Sequence, residues 1–160
     1  MRSSLTPNRF VLFLFYNVAM FQGSLSSCCT LGYHSMFSNR NFGGVLQTYG
    51  VAGFHSSGLF PALDVASISH EVSEWVANPI ESNATPPWGH TGQVPGCQKD
   101  LEVGDPLSGT TFPIQMDNGF TYHVQDLAFF SWFYHQTPSI GVDGLYSLMG
   151  TFTTPAAACP

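Results

Sequence analysis

The sequence predicts an α+β fold in which one polar helix packs on a small mixed sheet, with a loop-rich C-terminal half. Three observations predict it. Residues 64–79 carry helical periodicity, residues 10–15 and 45–54 are typical of strands, and Asn118-Gly119 marks a hairpin turn. The 160 residues, of which 44% are hydrophobic, are enough for one domain with its own core.

The first 27 residues admit two interpretations. Two arginines precede an apolar run from Phe10 to Phe21, which is the layout of a leader segment and is too short to span a bilayer. The beginning of that run, residues 10–15, is also a good buried strand. We favour the strand, and we expect residues 28–160 to form a single domain.

The middle of the chain predicts a strand followed by a helix and then loops. Residues 45–54 form an apolar stretch interrupted by glycines, which indicates a strand, and residues 55–58 form a flexible link into the helix. Residues 79–109 hold five of the eleven prolines, so we expect loops there.

The C-terminal third predicts short strands and an aromatic segment. Residues 111–116 and 120–124 flank Asp117-Asn118-Gly119, and Asn-Gly supplies the positive φ values that a tight hairpin turn requires. Residues 124–134 are apolar and aromatic and fit either a strand or a helix. Residues 146–152 are predicted as a last strand.

The predicted helix lies between Asp64 and Pro79. On a helical wheel at about 100° per residue, His70, Glu71 and Glu74 share one face, and the apolar side chains cluster on the opposite side. Asp64 is placed to cap the first turn, and Pro79 ends the helix because it has no N–H to donate.

The spacing of His70, Glu71 and Glu74 indicates metal chemistry. In the His-Glu-x-x-His motif of zinc peptidases, two ligands lie at i and i+4 and the intervening Glu is the general base; here Glu74 takes the second ligand position, and a carboxylate is an acceptable zinc ligand. The alternative is an ordinary solvated helix face. Only 9% of the residues are charged, so two carboxylates beside a histidine favour the metal.

Zinc requires at least three protein ligands, and the helix supplies two. The segment that follows offers three candidates for the third. Glu102 and Asp105 lie in Glu-Val-Gly-Asp, and His90 lies in a Trp-Gly loop that would return towards the helix.

These motifs together resemble a known family. Ser69-His-Glu-Val-Ser-Glu74, then Asn78-Pro79, Trp88 and Glu102-Val-Gly-Asp105, resemble the pattern of secreted bacterial zincin-like (HExxE) metallopeptidase-like proteins. They are similar, more distantly, to the plant phosphate-induced, exordium-like extracellular proteins. The resemblance runs from about Cys28 to Cys159, with its firm part between Ser69 and Asp105. It implies a zincin-like domain and Glu102 as the third ligand.

The resulting hypothesis is an exported, zinc-dependent metallopeptidase-like protein. Zn²⁺ is expected to be held by His70, Glu74 and Glu102, with Glu71 as the catalytic base that takes a proton from the attacking water. Asp105 is interpreted as an acceptor that orients a ligand histidine through its other ring nitrogen. The alternative function is a non-catalytic, zincin-like extracellular or cell-surface binding protein, and a weaker one is a structural module in which the helix is merely packed.

The remaining histidines receive other roles. His34 and His123 lie in strand-like aromatic contexts, where an imidazole often satisfies a backbone carbonyl, so a structural role is expected for both. Tyr122 or His123 is the candidate donor to the transition state, since such sites usually need one.

Charge and cysteine content narrow the partners and the compartment. The formal net charge is −6, residues 64–160 contain all ten acids, and no basic stripe is present, so we expect a protein or peptide substrate or a cell-envelope partner, and no nucleic acid. A single lysine suits an exported protein.

The four cysteines form no Cys-x-x-Cys pair, and two disulfides are expected, with Cys28 and Cys29 bonded outward, for instance to Cys97 and Cys159.

Overall fold

The computed structural model describes residues 6–24, 26 and 28–160, and this part of the chain is α+β, as predicted. No helix in it is long and apolar enough to cross a membrane. The elements are β1 (Val11–Tyr16), β2 (Met20–Phe21), β3 (Cys28–Thr30), β4 (Gly32–Asn39), β5 (Val45–Phe54), α1 (Ala66–Ala77), β6 (Ala84–Thr91), β7 (Val94–Asp100), β8 (Thr111–Gln115), β9 (Thr121–Gln125) and α2 (Phe130–Phe133).

The largest sheet is mixed and has the order β1-β5-β4. β1 runs parallel to β5, and β4 runs antiparallel to it, with Gly32 opposite Ala52. β5 has the bounds that the sequence predicted, and its central residues Val51 and Ala52 are buried. The predicted arrangement of one helix on a small mixed sheet is therefore present, and β4 is the edge strand beside α1.

The N-terminal apolar run forms a strand, β1, and the prediction that this strand is buried was wrong. Its last four side chains are between 43% and 68% exposed. The reason is position: β1 lies at the edge of the sheet and pairs with β5 alone. Just before β1, Phe10 stacks on Trp75 of α1 with 4.1 Å between ring centroids.

α1 confirms the predicted helix and corrects its cap. The helix begins after Val65, which makes no side-chain cap, and the carboxylate of Asp64 instead accepts the backbone N–H groups of Val65 and His123. The helix ends at Asn78, before Pro79, as expected. Trp75 fixes α1 to the sheet because its indole N–H donates to the hydroxyl of Thr48 at 3.0 Å.

The segment from residue 79 to 109 was predicted as loops, and this was wrong for its central part, which forms the β6–β7 hairpin. The two strands pair irregularly, with a register shift between Ala84 and Trp88. Pro86 and Pro87 fall inside that shift, where no ladder hydrogen bond is required of them. Prolines therefore mark an irregular strand here instead of a loop.

The hydrophobic core lies mostly in the second half of the chain. Trp88 is fully buried, donates its indole N–H to the carbonyl of Asp100 at 2.8 Å, and meets Trp132 and Phe133 edge-on. The other buried members are Val94, Leu101, Val103, Leu107, Ala128, Tyr146 and Ala156. This core supports the loop at residues 101–107 that faces α1.

The C-terminal third follows the prediction only in part. The hairpin of β8 and β9 is confirmed, and the ambiguous segment contains one helical turn, α2. The predicted strand at residues 146–152 was wrong: the described chain has only an isolated bridge between Ala128 and Ser147 there. The segment folds back on itself, because the N–H of Tyr146 donates to the carbonyl of Phe152.

Both disulfides differ from the predicted pairing. Cys97 in the middle of β7 bonds to Cys159 near the C-terminus, and Cys28 bonds to its neighbour Cys29. Because Cys97 and Cys159 bond to each other, neither can form the predicted disulfide with Cys28 or Cys29.

Candidate metal centre

The polar face of α1 is buried, which excludes the interpretation of an ordinary solvated face. His70, Glu71 and Glu74 are 7%, 6% and 4% exposed, whereas Val76 on the opposite side is 67% exposed. The helix is thus turned with its charged side chains inward, towards β4 and the loop at residues 101–107. Burying several ionisable groups is unfavourable unless they are paired or bind an ion.

Three ligand-type atoms converge at the inner end of this face. Nε2 of His70 lies 3.1 Å from Oε2 of Glu74 and 3.3 Å from Oδ1 of Asp105, and all three atoms lie within 4.8 Å of one another. Donors that share one tetrahedral zinc at about 2.0–2.2 Å are separated by about 3.4 Å. The His70–Glu74–Asp105 group therefore has the spacing of a cation site.

The surrounding backbone fixes this group. Oε1 of Glu74 accepts the N–H groups of Gly104 and Asp105, both at 3.2 Å, which leaves Oε2 directed at His70. Gly104 also lies against the His70 ring, since a Cβ there would stand 2.6 Å from Nδ1. The glycine of Glu-Val-Gly-Asp is thus explained by the close approach of backbone to imidazole.

One carboxylate of that motif, Asp105, differs from its predicted place. Asp105 was interpreted as binding the other ring nitrogen of a ligand histidine, but it meets the same Nε2 atom of His70 as Glu74 does. Its oxygens accept the side-chain amides of Gln93 and Gln98. Asp105 therefore occupies a ligand position in the His70 group.

Glu102, predicted as the third ligand, lies on another side of the centre. Its Oε1 accepts the side-chain N–H of Asn78 at 3.3 Å, and its Oε2 lies 4.0 Å from Nε2 of His34. Its place in the ligand set of His70 remains a prediction. His90, the other candidate, is exposed and lies 3.8 Å from Sγ of Cys97, beside the disulfide.

His34 on β4 is the site residue that sequence reasoning missed. Its side chain is 5% exposed, and its Nδ1 lies 3.5 Å from Oε2 of Glu71 and 3.7 Å from Oε2 of Glu74. Nε2 is buried without a hydrogen-bond partner, so the expectation that this imidazole satisfies a backbone carbonyl was wrong. The sequence held one hint of this role, because Gly32 and His34 are two residues apart and so share one face of a strand. The structure shows that Gly32 leaves room on that face for the side chain of Glu71.

The centre concentrates negative charge. Among the described residues, the only cationic partners of its four carboxylates are imidazoles, since no Lys or Arg nitrogen lies within 4.0 Å of them. Burial raises the pKa of Glu102 to about 8, with the charge of Glu74 adding to the effect. Burial also raises the pKa of Glu71, although His34 opposes the shift.

The imidazoles respond to the same charges. Burial by itself lowers the pKa of His70, but contacts with Asp105 and Glu74 outweigh burial and raise the pKa well above its usual value. For His34, burial is likewise outweighed by Glu71, Glu102 and Glu74, and the pKa is raised. The centre thus favours bound positive charge.

Two cavities open onto these residues. One, of about 580 Å³, runs from Thr30 and Gly32 past His70 and Glu71 to Thr111. The second, of about 430 Å³, reaches His34 and Glu102. Cavities of a few hundred Å³ are typical of small-molecule and peptide sites.

The predicted transition-state donors do not line either cavity in the described part of the chain. Nδ1 of His123 contacts the carboxylate of Asp64 at 2.7 Å, which supports the structural role for this histidine. Burial would raise the pKa of Asp64, but the hydrogen bonds from His123 and Val65 outweigh it and lower the pKa. The amide side chains of Gln93 and Gln125 line the larger cavity instead.

Comparison of the chain with family models, with curated proteins and with solved structures finds no match.

Proposed function

We propose that the protein is a zinc-dependent hydrolase of peptide bonds, with the metal held by His70, Glu74 and a carboxylate from residues 102–105. The observation that carries the proposal is the buried His70–Glu74–Asp105 group at the wall of a cavity. One imidazole nitrogen and two carboxylate oxygens are donors that zinc accepts. Asp105 is the third ligand that the distances favour, and Glu102 is the alternative.

Glu71 is the proposed general base. It lies on the same buried face as the ligands, lines both cavities, and accepts no hydrogen bond from the described chain apart from its contact with His34. It is therefore free to take a proton from water that attacks a carbonyl group. Zinc, when bound, supplies polarisation of that carbonyl oxygen. Two anionic ligands reduce this polarisation, so we expect slow hydrolysis.

The strand beside the centre favours an extended peptide as the substrate. Among the described residues β4 is paired with β5 along one side only, and it begins at Gly32, directly against Glu71. An open strand edge binds an extended chain through backbone hydrogen bonds. A peptide bound there would place a carbonyl group near the centre. The two disulfides are compatible with an extracytoplasmic location, and we propose that the protein is exported.

The test measures zinc content and hydrolysis of a fluorescent casein substrate by the same samples. We expect the protein loaded with one equivalent of zinc to hydrolyse casein, Glu71→Gln to keep the His70 zinc but lose hydrolysis, and His70→Ala to lose both. The matched control is His135→Asn, which changes an exposed histidine and should alter neither quantity.

Failure has two distinguishable forms. A folded protein that binds no zinc contradicts the metal site itself. A protein that binds zinc at His70 but leaves casein and peptides intact contradicts the peptidase and favours the non-catalytic binding protein.

A further inference from the structure

We propose that His34, Glu71 and Glu74 form a second divalent-cation site, adjacent to the His70 site and sharing the Glu74 carboxylate with it. The proposal rests on the proposed function only for the existence of that first site. The two groups of ligand atoms, His34–Glu71–Glu74 and His70–Glu74–Asp105, have Glu74 as their one common member.

The distances in the second group suit a cation. Nδ1 of His34 lies 3.5 Å from Oε2 of Glu71 and 3.7 Å from Oε2 of Glu74, and the three ligand atoms lie within 4.8 Å of one another. An ion about 2.0–2.2 Å from each donor requires donors about 3–4 Å apart. No large movement of the side chains is needed.

The buried imidazole of His34 points independently to a ligand. Its side chain is 95% buried, and its Nε2 has no hydrogen-bond partner in the part of the chain that the structure describes. If a cation binds Nδ1, the ring proton must reside on Nε2, which faces Oε2 of Glu102 at 4.0 Å. A shift of about 1 Å would bring Glu102 within hydrogen-bond distance of that proton, and its carboxylate could then orient the ring, as carboxylates commonly do for metal-bound histidines.

Glu74 is placed to bridge the two ions. Its Oε1 is occupied by two backbone N–H groups, whereas its Oε2 lies 3.1 Å from Nε2 of His70 and 3.7 Å from Nδ1 of His34. Two-metal hydrolases hold their ions about 3.5–4 Å apart. A shared carboxylate oxygen is compatible with that spacing.

The charge of the carboxylates is compatible with more than one ion. Glu71, Glu74, Glu102 and Asp105 carry four negative charges when ionised, and no Lys or Arg nitrogen of the described chain lies within 4.0 Å of them. One divalent ion neutralises half of that charge, and two neutralise all of it. Buried carboxylates are stabilised by nearby positive charge, so a second ion would add to the stabilisation that the two imidazoles supply.

The second ion competes with catalysis at the first. Glu71 cannot bind a cation and accept a proton from water with the same lone pairs. We therefore expect hydrolysis to fall as free zinc rises above the level that fills the His70 site. The second site would then set an upper limit to the zinc concentration at which the protein is active.

The experiment is equilibrium dialysis of the full chain against Zn²⁺, with zinc per chain measured after dialysis and folding checked by circular dichroism. We expect two zinc ions on the wild type and one on His34→Gln, which keeps the side-chain bulk. Glu71→Gln should also bind one ion, so the result does not depend on a single variant. The matched control is His90→Asn, which alters the exposed histidine beside the Cys97–Cys159 disulfide and should keep both ions.

The proposal is overturned if the folded wild type binds a single zinc ion, or if folded His34→Gln and Glu71→Gln both retain two. Loss of one ion from His90→Asn would likewise overturn it, because the second ion would then lie at that surface histidine. Failure of the peptidase proposal looks different: two ions bind, His34→Gln loses one of them, and no casein is hydrolysed at any zinc concentration.

Discussion

Replacement of Gly104 by Ala tests whether the backbone of the Glu-Val-Gly-Asp loop positions His70. The added Cβ would stand 2.6 Å from Nδ1 of His70, and the loop cannot retreat freely because its N–H groups bind Glu74 and its carbonyl accepts the side-chain amide of Gln125 at 2.8 Å. Gly104 has φ −88° and ψ −33°, a conformation that alanine adopts without strain. The effect therefore arises from the contact with the ring.

The expected magnitude follows from that contact. Overpacking of this kind costs about 1–3 kcal/mol of unfolding free energy, reduced by about 0.4–1 kcal/mol because alanine restricts the unfolded chain. Displacing a ligand ring through its supporting contacts weakens metal binding by about 10- to 100-fold. Zinc titration by calorimetry and urea unfolding measure the two quantities.

The matched control is Gly96→Ala, because Gly96 has no atom within 4 Å of an added Cβ. Its zinc affinity should equal that of the wild type, and its stability should be unchanged or slightly higher. If Gly104→Ala binds zinc as tightly as Gly96→Ala does, the loop does not position His70, and the reasoning is refuted.

Three further outcomes are expected. Asp105→Asn should weaken zinc binding at the His70 site by at least about tenfold, and Glu102→Gln should weaken it less. If calorimetry shows the larger loss for Glu102→Gln, Glu102 is the third ligand and Asp105 is not. With chelator present, the melting temperature should fall as pH rises from about 5 to about 8. The folded state raises the pKa of Glu102 from 4.5 to about 8 and the pKa of His34 above 6.5. Each group therefore holds a proton in the folded state that the unfolded chain releases over this interval. A melting temperature that rises over that interval would contradict the charge assignment. Replacing both Cys97 and Cys159 by Ser should cost about 4 kcal/mol in urea unfolding, since their disulfide closes a loop with a sequence separation of 62; a loss below about 1 kcal/mol would show that the loop is held by other contacts.

The sequence predicted those helices and strands whose sequence signal lies within a short stretch of the chain. The polar triad on α1 depends on helical spacing alone, β5 on a continuous apolar stretch, and the β8–β9 hairpin on Asn118-Gly119. Each of these signals is contained within about twenty residues, and each element was found. β6 and β7 were missed because their bulged pairing accommodates prolines, which sequence patterns associate with loops.

The sequence predicted the site residues that lie on α1, but not the residues that other elements bring to the site. His70, Glu71 and Glu74 do converge, but their partners are set by tertiary contacts. His34 lies on an edge strand more than thirty residues upstream, and only the antiparallel pairing of β4 with β5 brings it against α1. The choice between Glu102 and Asp105 depends on how the loop turns at Gly104, and four residues of sequence do not encode that turn without the packing beneath it.

If zinc binds as proposed, the inward orientation of the charged face of α1 links ion uptake to the stability of the protein. A helix that buries carboxylates and exposes Val76 gains little from apolar contact on its outer side, so ion binding would become part of its folding equilibrium. Each tenfold rise in free zinc above the dissociation constant would add about 1.4 kcal/mol to the unfolding free energy. Zinc supply in the surroundings would then determine what fraction of the protein survives as well as what fraction is active.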